Sequence, residues 1–325
     1  MEASRSNIRW GIIGCGNVTE VKSGPGFQKA DGSELLAVMR RNKELAEDYA
    51  RRHNVPRWYD DARQLIEDPE VDAVYVATPP ESHMRYVIDA AEAGKPVYVE
   101  KPMAMNASEC ERMIESCRAA GVPLFVAYYR RALPRFLHIR RLLAEGAIGD
   151  VRLVTTLHSK KLTEQTGVLP WRLNPEISGG GHFIDLASHT LDVLDFLLGP
   201  IRDVSGRKAN LGGGYEVEDT VSGSYSFESG AQGVGQWCFC AYENREVNEI
   251  IGSKGKLTFS TFGHEPVRLT TEQGVVEYPF DAPAHIQQPL IQTIVNDLLG
   301  KGVCESTGVT AVRTSRVMDA LTAGK

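Results

Sequence analysis

Up to about residue 130, short apolar runs rich in β-branched residues alternate with polar amphipathic segments. That is the rhythm of a parallel sheet whose strands are joined by crossover helices. Strands are predicted at residues 9–13, 35–39, 73–77, 97–99 and 124–127, and helices at 43–53, 62–67, 82–93 and 107–120. Gly94 and Gly121 stand just past the last two helices, where a left-handed residue ends a helix. This half reads as a doubly wound, Rossmann-type sheet.

Beyond Leu133 the rhythm changes to a helical stretch followed by longer strands at 151–158, 221–227, 233–239, 247–251 and 256–259. Ser/Gly turns between neighbours, as at Glu228-Ser229-Gly230, favour antiparallel pairing, so the second half is predicted to be α+β. Helical patterns at 287–299 and 309–321 close the chain, and no internal repeat interrupts it. The expected division is residues 1–130 for one domain and 131–325 for the other. A length of 325 residues agrees with two domains.

Charge narrows the range of partners. Lys and Arg number 36 against 42 Asp and Glu, a net charge of −6, so no basic field for nucleic acid is expected. The longest apolar runs, 71–78 and 122–129, fall far short of the roughly 20 residues needed to cross a bilayer. Residues 1–7 are polar and lack the apolar core of a secretory signal. A cytoplasmic protein is expected, with no membrane partner. The six cysteines follow no framework spacing and read as reduced thiols. Cys238 and Cys240 would share one face of a strand, but no third metal ligand is near them in sequence, and no metal is expected.

The first predicted strand runs into Gly11-Ile12-Ile13-Gly14-Cys15-Gly16-Asn17-Val18-Thr19. Gly14 allows a tight turn, and Gly16 lets the backbone, with Asn17 and Val18, approach a dinucleotide pyrophosphate at a helix start. Thr19 replaces the usual third Gly or Ala. At the end of the second strand, where a carboxylate would favour NAD, stand Arg40 and Arg41. Two guanidinium groups suit the 2′-phosphate of NADP, which is the expected cofactor with NAD as the alternative. The same arginines would also serve as a solvated helix start.

Glu100-Lys101-Pro102 follows the strand at 97–99, at the sheet edge where ligands of open α/β folds bind. A lysine there can bond a substrate hydroxyl and stabilise a developing alkoxide. After Gly179-Gly180-Gly181 a helix carries Asp185 and His189 on one face, a carboxylate and an imidazole suited to proton transfer. Asp192 and Asp195 are expected to be exposed or capping, and His182 is ambiguous. Tyr128, Tyr129, Arg130 and Arg131, after the last strand of the first half, suit hydroxyl-rich or anionic ligands. His158, Lys160, Lys161 and Tyr242 are further candidates from the second half.

Gly11 to Gly16, Ala77-Thr78-Pro79-Pro80 with His83, Glu100-Lys101-Pro102, Trp171-Arg172 and Gly179-Gly180-Gly181 with Asp185 and His189 occur in this order along nearly the whole chain. Together they resemble the glucose-fructose oxidoreductase, inositol dehydrogenase and rhizopine catabolism (Gfo/Idh/MocA) family. The resemblance implies a Rossmann domain, and a C-terminal domain whose open, mostly antiparallel sheet mediates dimer or tetramer formation. It implies NAD(P)-dependent oxidation or reduction of a sugar, glycoside or polyol. On matching positions, Lys101 orients the reacting hydroxyl, His189 is the general acid/base, and Asp185 holds substrate. Glu100, Thr78, Pro79 and His83 belong to the cofactor side, and Trp171 and Arg172 approach cofactor or substrate. Ala187-Ser188 departs from the glycine that many members carry before the histidine. Lys101 and His189, from the two halves, are expected to meet across one crevice.

Two other functions share these motifs. A glycosidase of the same superfamily would oxidise C3 transiently and recycle its NAD within one turnover. A nucleotide-sensing regulator would bind without chemistry, and would not need Lys101, Asp185 and His189 together.

Overall fold

The computed structural model describes residues 6–162 and 169–324, so the first five residues of the polar start lie outside the described part. The chain forms two compact units. One contains the residues up to Leu133 together with Pro283–Val312; the other contains Pro134–Ala282 and the residues from Arg313.

The first unit opens with β1 (Ile8–Ile13), α1 (Asn17–Val21), α2 (Gly24–Lys29), β2 (Ser33–Met39), α3 (Lys43–His53), β3 (Arg57–Tyr59) and α4 (Ala62–Glu67). It continues with β4 (Ala73–Val76), α5 (His83–Glu92), β5 (Val97–Val99), α6 (Ala107–Ala119) and β6 (Leu124–Val126). The six strands lie in the order β3-β2-β1-β4-β5-β6, all parallel. This is the expected doubly wound sheet, with the strand order reversing between β1 and β4. Strands buried on both faces, such as β4 and β5, read as continuous apolar runs. Gly94 and Gly121 take φ of +71° and +69°, as the helix ends require. The three-residue edge strand β3 carried no sequence signal of its own.

The second unit comprises α7 (Pro134–Ala144), β7 (Val151–Lys161), α8 (Pro175–Ser178), α9 (His182–Leu198), β8 (Ile201–Ala209), β9 (Thr220–Phe227) and β10 (Gln232–Ala241), followed by β11 (Arg245–Gly252), β12 (Gly255–Phe259), β13 (Val267–Thr271) and β14 (Gly274–Tyr278). Its sheet runs β14-β13-β12-β11-β7-β10-β9-β8. All pairs are antiparallel except β10 with β7. The exception follows from topology: consecutive β10 and β11 run in opposite directions, and β7 lies between them, so it must run parallel to one. Along β7, Val154, Thr156 and His158 are buried, while Leu153, Thr155 and Leu157 on the opposite face are partly exposed. Trp237 of β10 packs edge-on against Phe183 of α9, with ring centroids 5.2 Å apart.

Two further helices, α10 (Gln288–Leu298) and α11 (Gly308–Ala323), follow. The sequence pattern places everything after residue 130 in the second domain, whereas Pro283–Val312 folds with the first unit. Leu290, Ile291, Ile294 and Val295 are fully buried there, and α10 packs on α2, where a Cβ at Gly26 would lie 2.9 Å from Ile291 Cδ1. Ser306 covers the outer edge of β6, accepting from Val126 N–H at 3.0 Å and donating to Val126 C=O at 2.7 Å. Asp192 and Asp195 also differ from expectation, being 0% and 4% exposed. Helix α9 is buried on nearly every side, so its acidic residues must find partners in the interior.

Candidate active site

In the first unit the residues expected to carry chemistry gather at the carboxyl ends of neighbouring strands β1, β4 and β5. Gly14, at the end of β1, has φ +93°, and a Cβ there would lie 2.7 Å from Thr78 Cγ2. Only glycine lets the two turns approach this closely. The amides of Gly14 and Cys15 both donate to Met39 C=O, at 2.9 and 3.2 Å, fastening the turn to the end of β2. Over Gly16 the space is open: an added Cβ would meet only Gly14 O, at 3.9 Å. Thr19 closes the turn from below, its hydroxyl and amide both donating to Gly16 C=O at 2.8 and 3.0 Å. That bond gives the third fingerprint position a role no Gly or Ala could play. Asn17 is exposed and Val18 half-buried beside it.

Arg40 is half-buried and bends back over this turn, its Nη1 donating to Cys15 C=O at 3.4 Å. Arg41 is exposed and borders a groove of about 850 Å³ that is also lined by Asp60, Asp61, Arg63 and Arg85. Thr78 and Pro79 are partly exposed after β4, and Thr78 Oγ1 accepts from Ser82 at 2.8 Å. His83 has a different place from the one the resemblance gave it. Its ring is fully buried, with Nε2 2.7 Å from Thr78 O and Nδ1 3.1 and 3.2 Å from the carbonyls of Pro102 and Met103. It therefore ties the turn after β4 to the loop after β5. Burial holds its pKa below the ordinary imidazole value, against the pull of those carbonyls.

Lys101 is half-buried at the end of β5 and precedes a cis proline, Pro102. The carboxylate of Glu100 turns inward. Its Oε1 accepts from Tyr75 O–H at 2.5 Å and from Gln287 Nε2 at 2.6 Å, and its Oε2 accepts from Lys101 N–H at 3.1 Å. The resemblance put Glu100 on the nicotinamide side, and its side chain is instead 7% exposed and committed to these donors. Nothing in the sequence linked Gln287 to this position. Tyr128 and Arg130 are buried, with the Arg130 guanidinium 4.9 Å from the centroid of Tyr129.

In the second unit α9 starts at Gly181, where a Cβ would lie 2.7 Å from Val217 Cγ2, so its first turn sits directly on the chain at residues 217–218. Asp185, its side chain 23% exposed, and buried His189 stand one turn apart on this helix. Arg172 stacks on Trp171, 4.4 Å from the ring centroid, and its Nε lies 3.4 Å from Asp185 Oδ2. The Trp171-Arg172 pair thus stands beside Asp185. His189 meets Phe262 edge-on at 5.9 Å. The turn carrying Phe262 is held by Glu246, which accepts from the amides of Thr261 and Phe262 at 2.9 and 3.2 Å.

Two further histidines complete this face. His158 on β7 lies between the rings of Phe239 and Phe262, at 5.4 and 5.3 Å, and its buried Nδ1 has no hydrogen-bond partner among the described residues. His182 contacts Phe239 and Tyr215. Burial lowers both pKa values, with Lys160 pushing the same way; Glu246 opposes the shift at His158 and Asp185 opposes it at His182. The inward parity of 154, 156 and 158 along β7 was the available signal for His158. By contrast Tyr242 is 91% exposed beneath Lys161 Nζ, away from these rings. Among the described residues no group of three or more His, Cys, Asp or Glu could hold a metal ion. Cys238 and Cys240 are free thiols with sulfurs 3.7 Å apart.

Residues 8–128 match the profile of an oxidoreductase family with an NAD-binding Rossmann fold, and residues 136–258 match the GFO/IDH/MocA C-terminal domain. The chain is 38% identical over 320 residues to oxidoreductase P35 of Formosa agariphila, covering 97% of this chain and 98% of that one. It is 29% identical over 306 residues to 1,5-anhydro-D-fructose reductase of Ensifer adhaerens, covering 92% and 91%. Among solved structures, the aldose-aldose oxidoreductase of Caulobacter crescentus, complexed with glycerol, superposes with a TM-score of 0.85 at 26% identity, covering 97% and 96%.

Proposed function

The chain belongs to the Gfo/Idh/MocA family of oxidoreductases, and from that membership we propose that it transfers a hydride between a nicotinamide dinucleotide, NADP in preference to NAD, and a secondary alcohol or carbonyl of a sugar, glycoside or polyol. The observation that carries the proposal is the alignment of Gly14, Thr78 and Lys101 at the carboxyl ends of three adjacent strands, β1, β4 and β5. In open α/β sheets that edge binds ligands, most of all where the strand order reverses. The bare backbone at Gly14 and the open space over Gly16 fit a dinucleotide pyrophosphate. Gly14, Gly16, Asn17 and Val18 would hold it, Arg40 and Arg41 the adenosine ribose and its 2′-phosphate, and Thr78 and Pro79 the nicotinamide half. The substrate names of the reductase and aldose relatives support a sugar or polyol.

When bound, the nicotinamide supplies the hydride acceptor, or the donor in reverse. Lys101 donates a hydrogen bond to the reacting hydroxyl and stabilises negative charge as it develops on oxygen. His189 takes the hydroxyl proton, and returns it when a carbonyl is reduced. Asp185, screened by Arg172, accepts from a neighbouring substrate hydroxyl. The purified protein, mixed with NADP or NAD and a panel of aldoses, anhydrosugars and polyols, is expected to change the absorbance of the reduced nicotinamide band, faster with NADP. Failure to bind either reduced dinucleotide in a fluorescence titration would refute the proposal.

The partly exposed sheet face bearing Leu153, Leu157 and Val234 supports a homodimer or homotetramer formed through this sheet. Leu157→Arg is expected to shift the sedimentation coefficient toward that of a monomer. No described helix is long and apolar enough to cross a membrane. The cysteines, none of them in a disulfide among the described residues, support a reducing compartment, the cytoplasm.

A further inference from the structure

We propose that Gln287 is a positioning residue for Lys101, acting through the buried carboxylate of Glu100. The inference rests on the role given above to Lys101. Gln287 stands just before α10, in the segment that folds back onto the first unit, and is 1% exposed.

Its side chain is clamped at both ends. Nε2 donates to Glu100 Oε1 at 2.6 Å, while Oε1 accepts from Tyr98 O–H at 2.8 Å. These partners fix the amide orientation, because a flip would set its oxygen against a carboxylate and its nitrogen against a hydroxyl that must then find another acceptor. Burial, followed by the charge of Glu100, raises the pKa values of Tyr75 and Tyr98 well above the usual phenol range, so both remain hydroxyl donors. The two phenol rings stack at 4.7 Å, and Phe27 closes on both, at 5.1 and 6.2 Å. Glu100 is therefore held in one position by Gln287 and Tyr75, and with Oε2 it holds the backbone amide of Lys101.

Gln287 is tied to the glycine turn as well. Its own amide donates to Lys22 C=O at 3.2 Å, at the end of α1, and nearby His285 Nδ1 lies 2.8 Å from Val21 O. One buried residue thus joins the helix that follows Gly16, through its backbone amide, to the strand end that carries Lys101, through its side chain. Small displacements of a catalytic group are costly, on the order of 10²-fold for about 1 Å. A network that sets the origin of the lysine side chain therefore acts on turnover, whereas a clasp that only anchored residues 283–312 would act on stability.

The test is a double-mutant cycle on the whole enzyme. Gln287→Met keeps the volume and loses both hydrogen bonds; it is expected to lower kcat about tenfold and leave the KM for dinucleotide within about twofold. In the Lys101→Ala background the same substitution is expected to change kcat little, because the positioned group is gone. Tyr98→Phe, which removes only the donor to Gln287 Oε1, should follow the same pattern with a smaller loss, and serves if Gln287→Met does not fold. His285→Ala should lower the unfolding midpoint without changing kcat. An unchanged kcat in Gln287→Met, or an equal loss with and without Lys101, would overturn the inference. An unchanged kcat in Lys101→Ala alone would instead overturn the role of Lys101.

Discussion

Arg313 grips the carboxylate of Asp195 with two hydrogen bonds, Nε to Oδ2 at 2.8 Å and Nη2 to Oδ1 at 2.6 Å, between residues 118 positions apart. The Asp195 side chain is 3% exposed and that of Arg313 32%. Removing the guanidinium strands a buried carboxylate, which typically costs about 3 kcal/mol or more. Arg313→Ala is therefore expected to lower the urea midpoint with an unchanged slope. A midpoint equal to that of the parent protein would mean that water replaces the arginine without penalty.

Gly14→Ala places a methyl group 2.7 Å from Thr78 Cγ2 at a residue with φ +93°. The left-handed backbone alone costs an L-residue roughly 1–2 kcal/mol, enough to weaken dinucleotide binding about tenfold. Fluorescence titration with reduced dinucleotide checks this, and the strand pattern by circular dichroism should be preserved.

Lys101→Ala is expected to lower kcat by about 10², the usual loss when one donor to a developing oxyanion is removed. Dinucleotide affinity should stay within about twofold of the parent, since Gly14, Gly16 and Thr78 are untouched. Turnover at the parental rate would assign charge stabilisation to another group.

Arg40→Ala should reduce kcat/KM with NADP by about ten- to a hundredfold, the range expected on losing one charge-assisted hydrogen bond, and leave NAD turnover nearly unchanged. Arg41 is exposed, so its own replacement should act more weakly. Equal losses with both cofactors would show that Arg40 supports the glycine turn, through Cys15 C=O, more than it selects phosphate.

Burial keeps the imidazoles of His158 and His182 below their ordinary pKa. As pH falls below the unfolded value of about 6.5, the unfolded chain takes up protons first. Stability from these groups is full above that pH and declines as pH drops toward their lowered folded values. Thermal unfolding followed from about pH 7 to about pH 5 should therefore show a falling midpoint, with a shallower slope in His158→Phe. His83 shifts in the same direction and would keep part of the slope. An identical slope in the variant would remove His158 from the acid sensitivity.

Features set by local chain pattern are the ones legible in the sequence. The glycine turn after β1, the lysine at the end of β5, and the spacing of Asp185 and His189 are each set within about ten residues, by strand parity, helix period and turn chemistry. The approach of Arg172 to Asp185 lay beyond local reading, since the 12 positions between them include a stretch with no periodicity. His83 was misplaced because a histidine after a loop gives no sign of whether its ring faces a ligand or three carbonyls.

The sequence by itself determined the class of each half, the strand ends where chemistry could occur, and most of the side chains that could perform it, because hydrophobic period and backbone-specific residues act over one or two turns of chain. Only the tertiary structure decided that residues 283–312 rejoin the first unit, that β7 lies between β10 and β11, and that Gln287 reaches Glu100 across 187 positions. Contacts of that kind are selected by the free energy of burying whole surfaces and satisfying the polar groups trapped there. No local pattern records which distant partner will satisfy them.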